Sequence, residues 1–136
     1  MKAAVVVFGV LLCLRVQSAE PTATPTPTCQ NQRQCEAMWA AAKVAIGAAT
    51  GMPNRLVEDT RIETHAATSD AQLTGVVTKA PAGQDGYKFI VDLSCPRSLQ
   101  CEDLIRAGTE LFNTLVINAG ASLGPLPEPT TVDRQA

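Results

Sequence analysis

Histidine, aromatic residues and clustered positive charge are all scarce in this 136-residue chain. Eleven Lys and Arg face 13 Asp and Glu, and the cations do not gather on any one stretch. Nucleic-acid binding works by replacing backbone counterions with clustered cations, so that class of partner is excluded. There is one histidine, His65, and no Cys-x-x-Cys, which removes thioredoxin-like exchange. No Asn-x-Ser/Thr sequon occurs, so N-glycosylation has no acceptor. The five aromatics are one Trp, one Tyr and three Phe, few enough that core packing accounts for them before a ligand surface does. The length allows one domain at most.

What is present begins with a leader. Lys2 precedes a twelve-residue apolar run over 3–14, too short for a bilayer span of roughly 20 residues but suited to a secretory signal over 1–18. Val16-Gln17-Ser18 places compact residues ahead of a cut before Ala19, and a cut after Ala19 is the neighbouring option. Removing Lys2 and Arg15 leaves a mature charge of about −4. Cys13 raises lipidation as an alternative, but Leu12 stands where a lipoprotein leader requires a small residue. The plainer reading discards Cys13 with the leader. Residues 19–28, AEPTATPTPT, read as an extended Pro/Thr spacer about 30 Å long.

The rest is organised around a pattern that occurs twice: Cys, five residues, Cys, Glu, then a helical apolar run. The copies are Cys29 with Cys35 and Glu36, and Cys95 with Cys101 and Glu102. Five intervening residues lie outside the two to four that structural zinc prefers, so no metal is expected. Four cysteines in an exported chain point to two disulfides. Inside a helix, residues six apart are separated by about 9 Å along the axis, beyond the ~7 Å between Cα atoms that a bridge tolerates. A local bridge therefore needs its first cysteine in the lead-in and its second in the opening turn. Local closure contributes roughly 2.4 kcal/mol and cross-pairing between the copies roughly 4.4 kcal/mol. The shared spacing and helix-start context favour Cys29 with Cys35 and Cys95 with Cys101, and cross-pairing stays open.

Periodicity places a helix from Asn31, with Gln34 completing a capping box and Glu36 in the first turn, to Gly51. Met38, Ala42, Ala45 or Ile46 and Ala49 form its inward stripe. Strands follow over 60–68, 73–79 and 87–93, with Ile62, Thr64 and Ala66, then Leu73, Gly75 and Val77, then Tyr87, Phe89, Val91 and Leu93 on the inward faces. The turn-rich stretch 81–86 predicts a hairpin loop. A second helix begins at Ser98, turns Leu104, Gly108, Leu111 and Leu115 inward with Ile105 and Phe112 widening the stripe, and stops at Ala119-Gly120. Gly108 is expected against Ala42 or Ala45. The fold expected is α+β in the order α-β-β-β-α: a three-stranded antiparallel sheet, two helices on one face, and two disulfides. The domain spans 29–121, and 122–136 is expected to be a disordered, Pro-rich tail.

The run Cys35-Glu36-Ala37-Met38-Trp39, with the later cysteine pair before a second helix, resembles small uncharacterised exported α+β proteins of Gram-negative bacteria. The resemblance implies a signal-bearing, disulfide-containing domain and carries over no activity, ligand or catalytic residue. His65, Ser69 and Asp70 are triad residue types with no nucleophile elbow, and no catalytic residue, cofactor or metal is assigned. Glu36 and Glu102 are explained by helix dipoles, and Trp39 and Tyr87 by core duty. The expectation is a non-enzymatic binding or structural protein, periplasmic or secreted, whose partner is a protein or small ligand. The alternatives are an envelope lipoprotein anchored through Cys13, the only route to a membrane, and an inhibitor or ligand-binding protein presenting the 81–86 loop.

Overall fold

A computed structural model describes residues 24–96 and 101–124. In chain order the elements are β1 (Thr28–Cys29), α1 (Gln32–Thr50), β2 (Asn54–Val57), β3 (Arg61–Thr64), β4 (Thr74–Ala82), β5 (Gly86–Ser94) and α2 (Glu102–Ala121). The sheet is antiparallel, in the order β1-β5-β4-β3-β2. The α+β class holds, but the sheet has five strands where three were expected. The two additional strands are the edges, and both lack a readable period. β1 is two residues long and follows Pro27, whose carbonyl accepts from the Phe89 N–H at 2.9 Å. Proline lacks an N–H but keeps its carbonyl, so a Pro/Thr stretch can line an edge. β2 is four residues directly after Pro53, and its register shifts between Asn54 and Leu56.

The start of α1 follows its sequence signals with two differences. Asn31 Oδ1 accepts from the Gln34 N–H at 2.9 Å, while Gln34 Oε1 accepts from the Gln30 N–H at 2.7 Å, one residue ahead of the usual box partner. No acid lies in the first turn: Glu36 is a turn further on, where it accepts from Gln32 Nε2 at 3.0 Å. At the other end Gly51 takes φ 73°, a left-handed cap that glycine adopts without steric cost, and donates its N–H to the Gly47 carbonyl at 2.8 Å.

α2 departs further from expectation. It starts at Glu102 with Cys101 in the cap position; Ser98, expected to cap it, lies outside the described residues. Glu102 and Asp103 do occupy the first turn. The buried stripe runs through Gly108, Phe112, Val116 and Gly120, at a spacing of four, whereas Leu111 and Leu115 are 43% and 38% exposed. Helix–helix approach selects this stripe. The space a Cβ on Gly108 would fill lies 2.9 Å from Leu93 Cδ1 and 3.0 Å from the Ala49 carbonyl, so its close neighbour on α1 is Ala49 where Ala42 or Ala45 was expected. The helix also continues past Gly120, whose missing side chain makes room for the Met38 thioether.

Both helices pack on one face of the sheet. Ile62, Leu73, Val77 and Phe89 are buried there against Met38, Ala42, Ala45, Ile46, Phe112 and Val116, while Lys88 and Asp92 on the other face are exposed. Burying such side chains supplies about 1.5–3 kcal/mol each for the large aliphatic and aromatic ones. β3 is shorter than expected and ends at Thr64, leaving His65 and Ala66 exposed beyond it. Thr64 is buried because its hydroxyl accepts from the Gly75 N–H at 3.0 Å and donates to the His65 carbonyl at 2.9 Å. β4 and β5 extend into the expected 81–86 loop and leave a three-residue turn, 83–85.

Residues on both sides of 29–121 make contacts with the domain. Pro27 is fully buried, and Asn113 Nδ2 reaches the Thr24 carbonyl at 3.5 Å, while Pro25, Thr26 and Thr28 between and after them are exposed. At the other end Asn31 Nδ2 donates to the Leu123 carbonyl at 3.1 Å. The leader with Cys13, residues 19–23 and the tail from 125 lie outside the described residues. Among those described, no helix is long and apolar enough to cross a membrane.

Gly75 sits where α1 meets the sheet, and an added Cβ would come within 2.7 Å of Ile46 Cδ1 and 2.8 Å of Thr50 Cγ2. Gly75→Ala is expected to destabilise the domain by about 1–3 kcal/mol in urea unfolding. Ile46→Val in the same chain should recover part of that loss, and strict additivity of the two changes would show that the contact is not the cause.

Candidate binding groove

The inward row of β4, Gly75 and Val77 after the buried Leu73 that precedes the strand, continues at the two-residue period into a cation, Lys79. Its Cα partner across the hairpin is Phe89, at the centre of the core. Lys79 avoids burial of its charge by running its stem along aromatic surface. Its Nζ lies 5.2 Å from the centroid of Trp39 and 4.9 Å from that of Tyr87. Trp39 in turn stacks on Phe89, with centroids 5.8 Å apart and planes at 26°. The ammonium is thus held by two ring faces, and the Lys79 N–H donates to the Thr60 carbonyl at 2.9 Å, fixing the backbone beneath it.

This cation lines an open groove of about 660 Å³. One wall is the entry to α1, with Gln30, Gln32 and Glu36; the other is the β4–β5 turn, with Gln84 and Asp85. The Cys29–Cys35 disulfide, with Cα atoms 5.0 Å apart, joins the walls' supports. Cys29 is fully buried and pairs with Tyr87 across β1 and β5, while Cys35 is in the first helical turns. The bridge therefore ties helix entry, edge strand and Tyr87 together. Gly86 closes the base of the turn, where a Cβ would overlap the carbonyl oxygens of Cys29 and Ala82.

Cys95 and Cys101 are likewise at disulfide distance, with Cα atoms 6.4 Å apart. They follow the far end of β5, whose first residues border the groove. Local pairing is thus the arrangement of both copies, with Cα separations inside the limit a bridge tolerates. Disulfides fit an oxidising compartment, extracellular or periplasmic.

The ion pairs among the described residues are Arg55 and Arg61 with Glu63, and Arg106 with Asp103; Lys79 belongs to none of them. Glu36 is occupied by Gln32, and Asp85 is exposed on the turn. The groove therefore offers one aromatic-held cation, amide donors and acceptors, and acids at its rim. His65 is exposed past the end of β3, with its backbone N–H on the Pro53 carbonyl, and Ser69 and Asp70 lie in the exposed turn that follows. Among the described residues no three His, Cys, Asp or Glu gather as a metal site. The sequence signal for Lys79 was available: a lysine in phase with an apolar inward row. Trp39 and Tyr87 combine core packing with a place beside the groove.

No protein-family model, curated protein or solved structure matches the chain.

Replacing Cys29 and Cys35 together by Ala is expected to cost roughly 2–3 kcal/mol in urea unfolding. The Phe89 amide, bonded to Pro27, should then exchange faster with deuterium; unchanged exchange would mean that β1 is held without the bridge. On the open sheet face, Glu63 is held below the usual carboxylate range, chiefly by its hydrogen bond from Arg61, 2.6 Å away, with burial opposing and the charges of Arg61 and Arg55 assisting. A lowered folded-state pKa stabilises the fold above the unfolded carboxylate pKa, and that contribution is lost as pH falls through the folded value. A carbon-detected NMR titration should find Glu63 titrating below an ordinary glutamate, and Arg61→Ala should move it upward.

Proposed function

We propose that this chain is a small exported protein of the periplasm or cell envelope that acts by binding, without catalysis, and that the groove beside Lys79 receives the ligand. The observation that carries this reading is Lys79 itself, a cation set on Trp39 and Tyr87 at the groove and engaged in no ion pair among the described residues. Cations left without a carboxylate are ordinarily solvated surface groups, whereas this one is placed by the core. The disulfide-distance cysteine pairs support export, as does the leader-like sequence over 1–18. The likeness of the Cys-Glu-x-Met-Trp helix start to exported Gram-negative α+β proteins agrees with the same compartment.

The test combines localisation with contact. A photoreactive residue is placed at Gln84 on the turn, or at Thr78 on the open sheet face as a control, in the native host. The protein is expected in the exported fraction, starting at Ala19, with Cys29 linked to Cys35 and Cys95 to Cys101 in a non-reducing tryptic map. Crosslinks from position 84 should be competed by excess unlabelled domain, and those from position 78 should not. Free thiols in a cytoplasmic fraction would overturn export. Equal, non-competed crosslinking from both positions would overturn the groove.

A further inference from the structure

We infer that the groove recognises a carboxylate, and that Lys79 is the residue that binds it; this rests on the binding role proposed above. A lysine ammonium has three N–H donors. Here the ring faces of Trp39 and Tyr87 hold its charge, with Nζ 5.2 Å and 4.9 Å from their centroids, and Lys79 itself lines the groove. Ring faces hold a cation electrostatically but are poor hydrogen-bond acceptors, so the ammonium keeps donating capacity toward the groove. An anionic oxygen there gains a charge-assisted bond, shorter and stronger than a neutral one.

The rest of the lining narrows the anion. Glu36 and Asp85 both border the groove, so a dianion such as phosphate meets two like charges for one cation, whereas a monocarboxylate is balanced by Lys79 alone. Gln30 and Gln84, also on the lining, supply amide groups that match a body rich in N–H and C=O. The chemistry that fits is a monocarboxylate attached to amides, either the C-terminal end of a peptide or a small free acid.

The placement of Lys79 is built into the fold. It lies in the inward row of β4, opposite Phe89 in register, and Tyr87 is tied through Cys29 to the helix entry. The cation is therefore positioned before any ligand arrives, which lowers the ordering cost of binding.

The probes are N-acetylglycylglycine, its C-terminal amide, sodium acetate and inorganic phosphate, titrated into the ¹⁵N-labelled exported chain with both disulfides intact. N-acetylglycylglycine is expected to shift the Trp39 indole and the Lys79 and Tyr87 amides saturably, while the amide and phosphate do not. Acetate displacing it at similar concentration would identify a free acid as the source, and failure to displace would identify a peptide end; both support carboxylate recognition. Lys79→Met keeps the stem and should weaken binding by about tenfold or more, Lys79→Arg should retain it, and Lys88→Met, on the opposite face, should leave it unchanged. A thermal melt of Lys79→Met near the parent value shows that any loss is not unfolding. If the amide binds as well as the acid, or Lys79→Met binds as well as the parent, carboxylate recognition is overturned while the groove reading stands. If no probe shifts the groove, carboxylate recognition is overturned, and the position-84 crosslinks decide the groove reading independently.

Discussion

The close approach of α1 to the sheet is the constraint on which the rest of this domain depends. The helix touches every strand, and it does so because its inward stripe alternates large residues with alanine. Ala42, Ala45 and Ala49 let the backbone come near, while Met38, Trp39 and Ile46 fill the space between. Gly75 on β4 is the matching concession from the sheet, with Ile46 and Thr50 occupying the volume of its absent side chain. α2 is then seated by the same rule, through Gly108 against the Ala49 carbonyl and Gly120 against Met38. Close packing of this kind leaves little freedom to shift, since interiors are near crystal density.

That packing also makes the groove. Trp39 stacks on Phe89 in the core and also carries the Lys79 ammonium over its ring. The Cys29–Cys35 bridge holds the edge strand β1 beside β5, where Cys29 pairs with Tyr87, the second ring under the cation. A disulfide here has a local structural consequence beyond restricting the unfolded chain: it sets the relation between a helix entry and a hairpin turn. Domains of this size bury a modest share of their surface, which makes such a staple physically useful.

Legibility from the sequence followed the strength of the local period. The clean alternation of 73–77 and 87–93 yielded the correct inward faces, and Asn31 and Gly51 marked the limits of α1 because capping is a local interaction. The edges were lost. β1 pairs through a segment whose prolines read as spacer, and β2 follows Pro53 with an irregular register. In α2, size misled: Leu111 and Leu115 read as core, yet the stripe through Gly108, Phe112, Val116 and Gly120 faces inward. Gly108 was legible as an inward glycine, but Gly120 read as a helix stop, so its close contact with Met38 was lost. The groove was missed for another reason, because Lys79 reads as a polar strand end until Trp39 and Tyr87 are brought within reach of its ammonium.

By itself the sequence determined the α+β class, the extent of α1 and the inward faces of the central strands, and it favoured local cysteine pairs while leaving cross-pairing open. Each of these rests on interactions between residues close in the chain: caps, two-residue alternation and a six-residue spacing. Only the tertiary structure decided which face of α2 is buried, that five strands pair rather than three, and that Lys79 lies over two aromatic rings beside a disulfide. Those outcomes depend on groups brought together from distant parts of the chain, where the available volume and the register of partners outweigh local preference.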